Sequence, residues 1–205
     1  MIEKYFPFTH EQLAKIEQFY EIHVNAVLNV TAIKDREDFY RKHVLDSFLI
    51  FTERKRLLKS PVCDIGTGGG FPGIILAIMF PQVKFTLVDS IAKKCKFVED
   101  AAKELGLDNV EVITSRAENI KDRKFATILS RGVAKTAEIL KYTDKLAERK
   151  SVWVLYKGEN AENELYSAKN IIIKKHLEWE NVRYDEPIQR TYTVIHHTDD
   201  YSRLA

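Results

Sequence analysis

One stretch constrains this chain more than any other: Val62-Cys63-Asp64-Ile65-Gly66-Thr67-Gly68-Gly69-Gly70-Phe71-Pro72-Gly73. β-prone residues run into a cluster of glycines and then into the apolar run 74–80, which predicts a strand, a tight turn and a helix. Glycine lets main chain approach a ligand where any Cβ would intrude. Pro72 suits a first helical turn, where its missing N–H costs nothing. Asp64 is expected at the end of the strand, with its carboxylate at the rim of the turn. The pattern predicts a nucleotide-type site at the carboxyl edge of a sheet.

Two known patterns overlap there. Asp64-x-Gly66-x-Gly68-x-Gly70 fits the acidic-glycine turn of methyltransferases that use S-adenosylmethionine. Gly68-x-Gly70-x-x-Gly73 formally fits the dinucleotide fingerprint. A dinucleotide turn wants its first glycine directly after the strand and a smooth entry into the helix. Here Gly66 already ends the strand, and Pro72 falls inside the fingerprint. The methyltransferase reading is favoured, and a module binding NAD or FAD stays open as the alternative.

With 205 residues and a hydrophobic fraction of 45%, the chain can build one domain, or one domain with a small extension. No apolar run approaches the ~18 residues that a membrane span needs. Segment 1–12 lacks the basic-then-apolar layout of a secretory leader. Cys63 and Cys95 have no spacing for a metal or a disulfide. A reducing cytoplasm is the expected setting. A net charge of +2 permits a nucleic-acid partner without demanding one.

The first sixty residues read as helical. Thr9 with Gln12 makes a capping box, and Phe8 with Leu13 a hydrophobic staple. Leu13, Ile16, Tyr20 and Val24 keep helical spacing, and Asp35 can cap a second helical region. This part, 1–60, is expected to pack on a main domain at 61–205. From 62 onward strand and helix alternate, the pattern of a parallel sheet covered on both faces. Strands are expected at 84–88 (ending in Asp89), 110–113, 125–129 and 152–156. Ser90 is the expected cap of the helix that stops at Gly106. A polar helix over 161–173 precedes late strands at about 177–184 and 192–196, read as an antiparallel hairpin.

Candidate chemistry gathers after the strands. Asp89, about twenty residues past the turn, can accept from both hydroxyls of an adenosine ribose, or can simply cap a helix. Arg116-Ala117-Glu118 would face the adenine edge. Arg131, in Ser130-Arg131-Gly132-Val133-Ala134, offers a rigid fork for positioning, or pairs with a surface acid. No Asn/Asp-Pro-Pro-Tyr turn follows the fourth strand, which disfavours an exocyclic amine as acceptor. No cysteine follows it either, which disfavours a covalent route to a pyrimidine. The histidines are scattered, and no metal is expected.

Asn29-Val30-Thr31-Ala32-Ile33, His43-Val44-Leu45-Asp46-Ser47, the stretch from Asp64 to Gly73, Leu87-Val88-Asp89-Ser90, Lys93-Lys94, Arg116-Ala117-Glu118, Ser130-Arg131 and Lys157-Gly158 occur in order. Together they resemble the RsmG (GidB) family of bacterial small-subunit ribosomal RNA methyltransferases, from about residue 25 to 158. The resemblance implies an α/β, class I S-adenosylmethionine-dependent methyltransferase: a Rossmann-like, seven-stranded, mostly parallel sheet with an N-terminal helical extension. It implies methyl transfer to guanine N7 in the 530 loop of 16S ribosomal RNA, and it carries donor binding onto Gly66, Phe71, Ala117, Glu118 and Arg131. Asp64, Gly68 and Asp89 join them from the glycine-turn reading. Two departures stand out. Gly132 replaces the family's usual alanine, and Glu148-Arg149-Lys150 replaces a glycine-containing turn. Neither is expected to touch the donor site.

Guanine N7 has a lone pair and no proton, so no general base is required and catalysis rests on alignment. Arg131 is the candidate for positioning. Asn29, Lys42, His43, Lys93, Lys94, Arg116 and Lys157, with Arg131, are expected to form a basic rim that gathers RNA phosphates. Asn29 and His43 can instead be internal residues tying the N-terminal helices down. The expected partner is 16S RNA or the small ribosomal subunit, met by a monomer away from any membrane. The alternatives are a methyltransferase for a small molecule or protein, and the non-catalytic nucleotide-binding module.

Overall fold

Strand–helix alternation from residue 62 builds one seven-stranded sheet, in the computed structural model that describes residues 2–28, 33 and 35–198. The strands are β1 (Val62–Ile65), β2 (Phe85–Asp89), β3 (Val110–Thr114), β4 (Phe125–Arg131), β5 (Ala147–Lys157), β6 (Leu177–Tyr184) and β7 (Arg190–His197). Their order is β3-β2-β1-β4-β5-β7-β6. The five from β3 to β5 run parallel, whereas β7 lies antiparallel between β5 and β6. β1 and β2 are buried at every position, as parallel strands covered on both faces must be. The chain winds outward one way through β2 and β3 and the other way through β4 and β5. That reversal opens a crevice at the carboxyl ends of β1 and β4.

Alternate residues of each strand feed opposite faces. Val62 joins an apolar cluster with α1 (His10–Asn25), α4 (Gly73–Met79) and α5 (Ala92–Glu104), whereas Cys63 and Ile65 join a second cluster with α6 (Thr136–Tyr142) and α7 (Ala161–Lys174). The first cluster runs without a break from Ile2 to Val194, so the N-terminal helices share their core with the sheet. Among the described residues, no helix is long and apolar enough to cross a membrane.

The N-terminal helices are tied down by polar bonds as well. Thr9 and Gln12 form the capping box, and Gln12 Nε2 also donates to the Met79 carbonyl at 3.0 Å, at the end of α4. The buried face of α1 is Ile16, Phe19 and His23, while Val24, expected on that face, is exposed. Asp35 accepts from the Asp38 N–H and caps α2 (Arg36–Phe39). A π-helical turn, Tyr40–Leu45, then leads into α3 (Asp46–Glu53). Such a turn admits an extra residue and thereby rotates the next helix about its own axis.

Three local expectations change. Ser90 does not cap α5; Ile91 stands at the cap position, and its N–H donates to Asp89 Oδ1 at 2.9 Å. β5 begins at Ala147, so Glu148, Arg149 and Lys150 lie within the strand, toward the edge of the sheet opposite the crevice. Asp64 is not at the rim of the turn. It has no exposed surface, and its Oδ2 accepts from the Gly73 N–H at 3.0 Å beneath the turn.

Candidate functional site

The glycine turn is folded around β2 and α4. Gly66 and Thr67 donate to the Val88 carbonyl at 2.8 and 3.0 Å, and Gly70 donates back to the Thr67 carbonyl at 2.8 Å. Gly66 has φ +72, and a Cβ there would lie 2.1 Å from Val133 Cγ2. A Cβ on Gly73 would meet Leu87 at 2.2 Å and Asp64 Oδ2 at 2.9 Å. These two glycines therefore serve the protein's own packing, in addition to any ligand. Burial pushes the Asp64 carboxyl up to about 6, against the pull of the nearby Thr67 hydroxyl and of the Gly73 N–H. Asp64 Oδ1 and the neighbouring Thr67 Oγ1 are buried without a hydrogen-bond partner.

A 250 Å³ pocket opens in the crevice, bounded by Gly66 at the end of β1, Asp89 and Lys94 after β2, Arg116 to Glu118 after β3, and Gly132 and Val133 after β4. Asp89 is nearly buried, and its carboxylate takes two backbone donors, Gly68 N–H on Oδ2 at 3.1 Å and Ile91 N–H on Oδ1. It therefore ties the glycine turn to the start of α5. Each carboxylate oxygen retains a further lone pair. Ala117 and Glu118 lie on a short 3₁₀ turn, Ala117–Asn119, at the pocket edge. Gly132 lines the pocket, contrary to the expectation that this departure lies apart from the donor site. An acid beside a glycine turn at a topological switch point suits a nucleoside. A second cavity, of 460 Å³, sits at the opposite edge of the sheet, and two of its three cations are already engaged. Arg123 there pairs with Glu111, and Lys124 donates to the Lys145 and Ala147 carbonyls.

Arg131, at the end of β4, is the centre of a second cluster. Its Nη1 donates to Asp46 Oδ2 at 2.9 Å and to the Lys42 carbonyl at 3.2 Å, and its Nη2 lies 3.1 Å from His43 Nδ1. The guanidinium also sits 5.2 Å from the centre of the Phe71 ring. Asp46 is fully buried and takes a second guanidinium, with Arg190 Nε on Oδ1 at 2.5 Å and Nη2 on Oδ2 at 2.9 Å. An arginine is always a donor, so His43 must accept through Nδ1. Burial and the Arg131 charge push His43 down to about 3, which leaves it neutral. Its ring stacks on Phe71 at 4.3 Å. His23 reaches the glycine turn from below, with Nε2 3.0 Å from the Gly69 carbonyl.

The residues expected to bind donor or RNA thus fall into groups. Gly66, Asp89, Ala117, Glu118, Lys94 and Arg116 share the pocket, with Lys93 exposed beside it. Gly68 contributes its N–H to Asp89, and Asp64 lies underneath. Phe71 is buried under His43 and Arg131, outside the pocket lining. Lys42 is exposed and pairs with Asp38 at 2.8 Å. Three members of the expected basic rim are corrected. The Arg131 guanidinium is engaged by Asp46, the Lys42 carbonyl and His43. His43 is a neutral internal acceptor, and Lys157 is buried with its ammonium on Glu164 at 2.7 Å and on the Ala134 carbonyl at 2.9 Å. Asn29 lies outside the described residues. Asp46, Arg190 and His23 are not singled out by the sequence. Asp46 sits in the His43-x-x-Asp46 motif, but Arg190 carries no local signal.

The family model for rRNA small subunit methyltransferase G matches residues 12–191. The chain belongs to that family. A ribosomal RNA small subunit methyltransferase G from Porphyromonas gingivalis is 39% identical over 208 residues, covering 96% of this chain and 91% of the relative. One from Mycoplasma capricolum is 34% identical over 207 residues, covering 96% and 89%. Among solved structures, a SAM dependent methyltransferase from Aquifex aeolicus superposes with a TM-score of 0.58 at 17% identity, covering 88% of this chain and 96% of that one. A ribosomal protein L11 methylase from Lactobacillus delbrueckii gives 0.59 at 14% identity, covering 76% and 78%. At such identities the structures speak for the fold, which is that of an S-adenosylmethionine-dependent methyltransferase. The residues of the crevice fit such a donor, because a nearly buried carboxylate, a glycine of the turn and small residues such as Ala117 and Gly132 meet in one pocket.

Proposed function

We propose that this rRNA small subunit methyltransferase modifies N7 of a guanine in the 530 loop of 16S ribosomal RNA. The observation that carries the reading is the crevice pocket, which joins Gly66, Asp89 and Arg116 to Glu118 beside the Arg131 cluster. When bound there, S-adenosylmethionine supplies a methyl group on a positively charged sulfur. Asp89 would accept from the ribose hydroxyls, Gly66 and Gly68 would pass beneath the ligand, and Ala117 and Glu118 would border the base. Arg131, immobilised by Asp46, would keep the mouth of the crevice in register with the incoming purine. Guanine N7 brings its own lone pair and no proton, so the protein's part is to orient the acceptor and exclude water. His43 suits that part, because a neutral ring donates no charge to a site where positive charge passes to guanine. Lys94 and Arg116 line the pocket and would gather phosphates together with the exposed Lys93, with Lys42 and Asn29 as further contacts. The working unit in this reading is a single chain in the cytoplasm.

The test uses labelled donor with either free 16S RNA or the assembled small subunit. The product is reduced with borohydride and cleaved with aniline at 7-methylguanine. A single cut within the 530 loop is the expected result. Label in the RNA without that cut points to another acceptor atom. Label only in protein or small molecules returns the reading to a methyltransferase of a different substrate class.

A further inference from the structure

The loop after β4 is pinned at both ends and loose in the middle. Arg131 holds the first end through Asp46, His43 and the Lys42 carbonyl. The second end is held by two residues that the proposed chemistry does not use. Lys157, at the end of β5, donates from Nζ to the Ala134 carbonyl at 2.9 Å and pairs with Glu164 Oε2 at 2.7 Å. The same Glu164 oxygen accepts from Thr136 N–H at 2.8 Å and from Thr136 Oγ1 at 3.1 Å, at the start of α6. Lys157 is only 9% exposed in its side chain, so this ammonium is not on offer to a phosphate. Between the two anchors, Gly132 has φ +68 and open space where a Cβ would be. Val133 is 43% exposed, yet its Cγ2 lies over Gly66, so close that no Cβ could come between them. Val133 is therefore one wall of the pocket, carried on a segment that makes little packing of its own.

We propose that Lys157 and Glu164 are positioning residues for the methyl donor: they hold the β4–α6 loop so that Val133 stays on Gly66 and closes the adenosine side of the pocket. This rests on the donor site proposed above. A charge-assisted tether of this kind acts at a distance, since neither side chain lines the pocket. Glu164 cannot be replaced by the nearby Glu138, which instead accepts from the Lys135 N–H one residue earlier. Loss of the tether releases Ala134 and Thr136, and the wall then has only the Arg131 end to define it.

The experiment is calorimetric binding of S-adenosylhomocysteine, without RNA, to the full chain and to Lys157→Met, Lys157→Arg, Glu164→Gln, Val133→Gly and the Lys157→Met/Val133→Gly double variant. Removing a charge-assisted bond should weaken binding by about tenfold in Lys157→Met, with a smaller loss in Glu164→Gln. Lys157→Arg should restore most of the affinity. Val133→Gly should weaken binding to a similar degree. The double variant should be no worse than the poorer single one, because both act on the same wall. In turnover, KM for the donor should rise while kcat and RNA affinity hold. Unchanged product affinity in both Lys157→Met and Glu164→Gln, or single effects that multiply in the double variant, would overturn the inference. So would a fall in the salt slope of RNA binding by about 0.7 for Lys157→Met, which would make Lys157 a phosphate contact after all. If the unaltered protein itself takes up no S-adenosylhomocysteine, it is the donor-site reading that fails.

Discussion

Asp64 offers a stability test that needs neither substrate nor donor. Its carboxylate is fully buried beneath the glycine turn, held by one backbone donor, with Oδ1 left without a partner. Burial raises it from an ordinary 3.8 to about 6. A rise of about two pKa units corresponds to roughly 3 kcal/mol at 1.36 kcal/mol per unit. Because the folded state binds the proton more tightly, this penalty is absent below the unfolded value near pH 4. It grows as pH rises through about 6 and is complete above that. Asp64→Asn keeps a carbonyl oxygen for the Gly73 N–H and removes the charge. The variant should therefore unfold at higher urea than the parent at pH 8, by up to about 3 kcal/mol, and the gap should close toward pH 4. A variant less stable than the parent by the same amount at both pH values would refute the reasoning. It would mean that the ionised carboxylate stabilises the turn.

Other perturbations test neighbouring parts of the site. Asp46→Ala strands the Arg131 and Arg190 guanidiniums without their shared carboxylate and should cost about 3–5 kcal/mol in urea unfolding. His43, held neutral down to about 3, contributes stability above its unfolded value near 6.5 that is lost progressively as pH falls from there toward 3. His43→Gln should lack that part of the acid sensitivity in a pH series of thermal melts. Reversing Lys93 and Lys94 to glutamate should weaken RNA binding and lower its salt slope by about 0.7 for each phosphate no longer neutralised. Unchanged RNA affinity and salt dependence would remove both lysines from the interface.

The legible part of the sequence is local. The strand, glycine turn and helix at 62–79 announce themselves because glycine readily takes the φ of +72 found at residue 66, and because the next apolar run has no alternative but a buried helix. The Thr9–Gln12 box and the Asp35 cap are equally short-range, and both form as expected. Asp89 is legible from its position after β2, although its grip on Gly68 is not, since that bond crosses 21 residues. The failures share a cause. Arg131 is expected to face phosphate, but its acid partner, Asp46, lies 85 residues earlier, and Arg190 reaches the same acid from 144 residues away. No spacing rule relates Asp46 at the start of α3 to Arg131 at the end of β4 and Arg190 at the start of β7, which only the assembled fold brings together. Lys157 misleads for the same reason, because a lysine after a strand looks solvated until Glu164 folds back over it. His23 reads as one histidine among scattered ones, yet α1 places it against the Gly69 carbonyl.

The proposed site requires that the crevice between β1 and β4 hold an adenosine carrying sulfur, with Asp89 at its ribose. Calorimetry of the unaltered chain against S-adenosylhomocysteine and against NAD, repeated on Asp89→Ala, addresses this most directly. One site for the sulfur nucleoside, none for the dinucleotide, and loss of the first in the variant are the expected results. Uptake of NAD with indifference to S-adenosylhomocysteine would contradict the donor site.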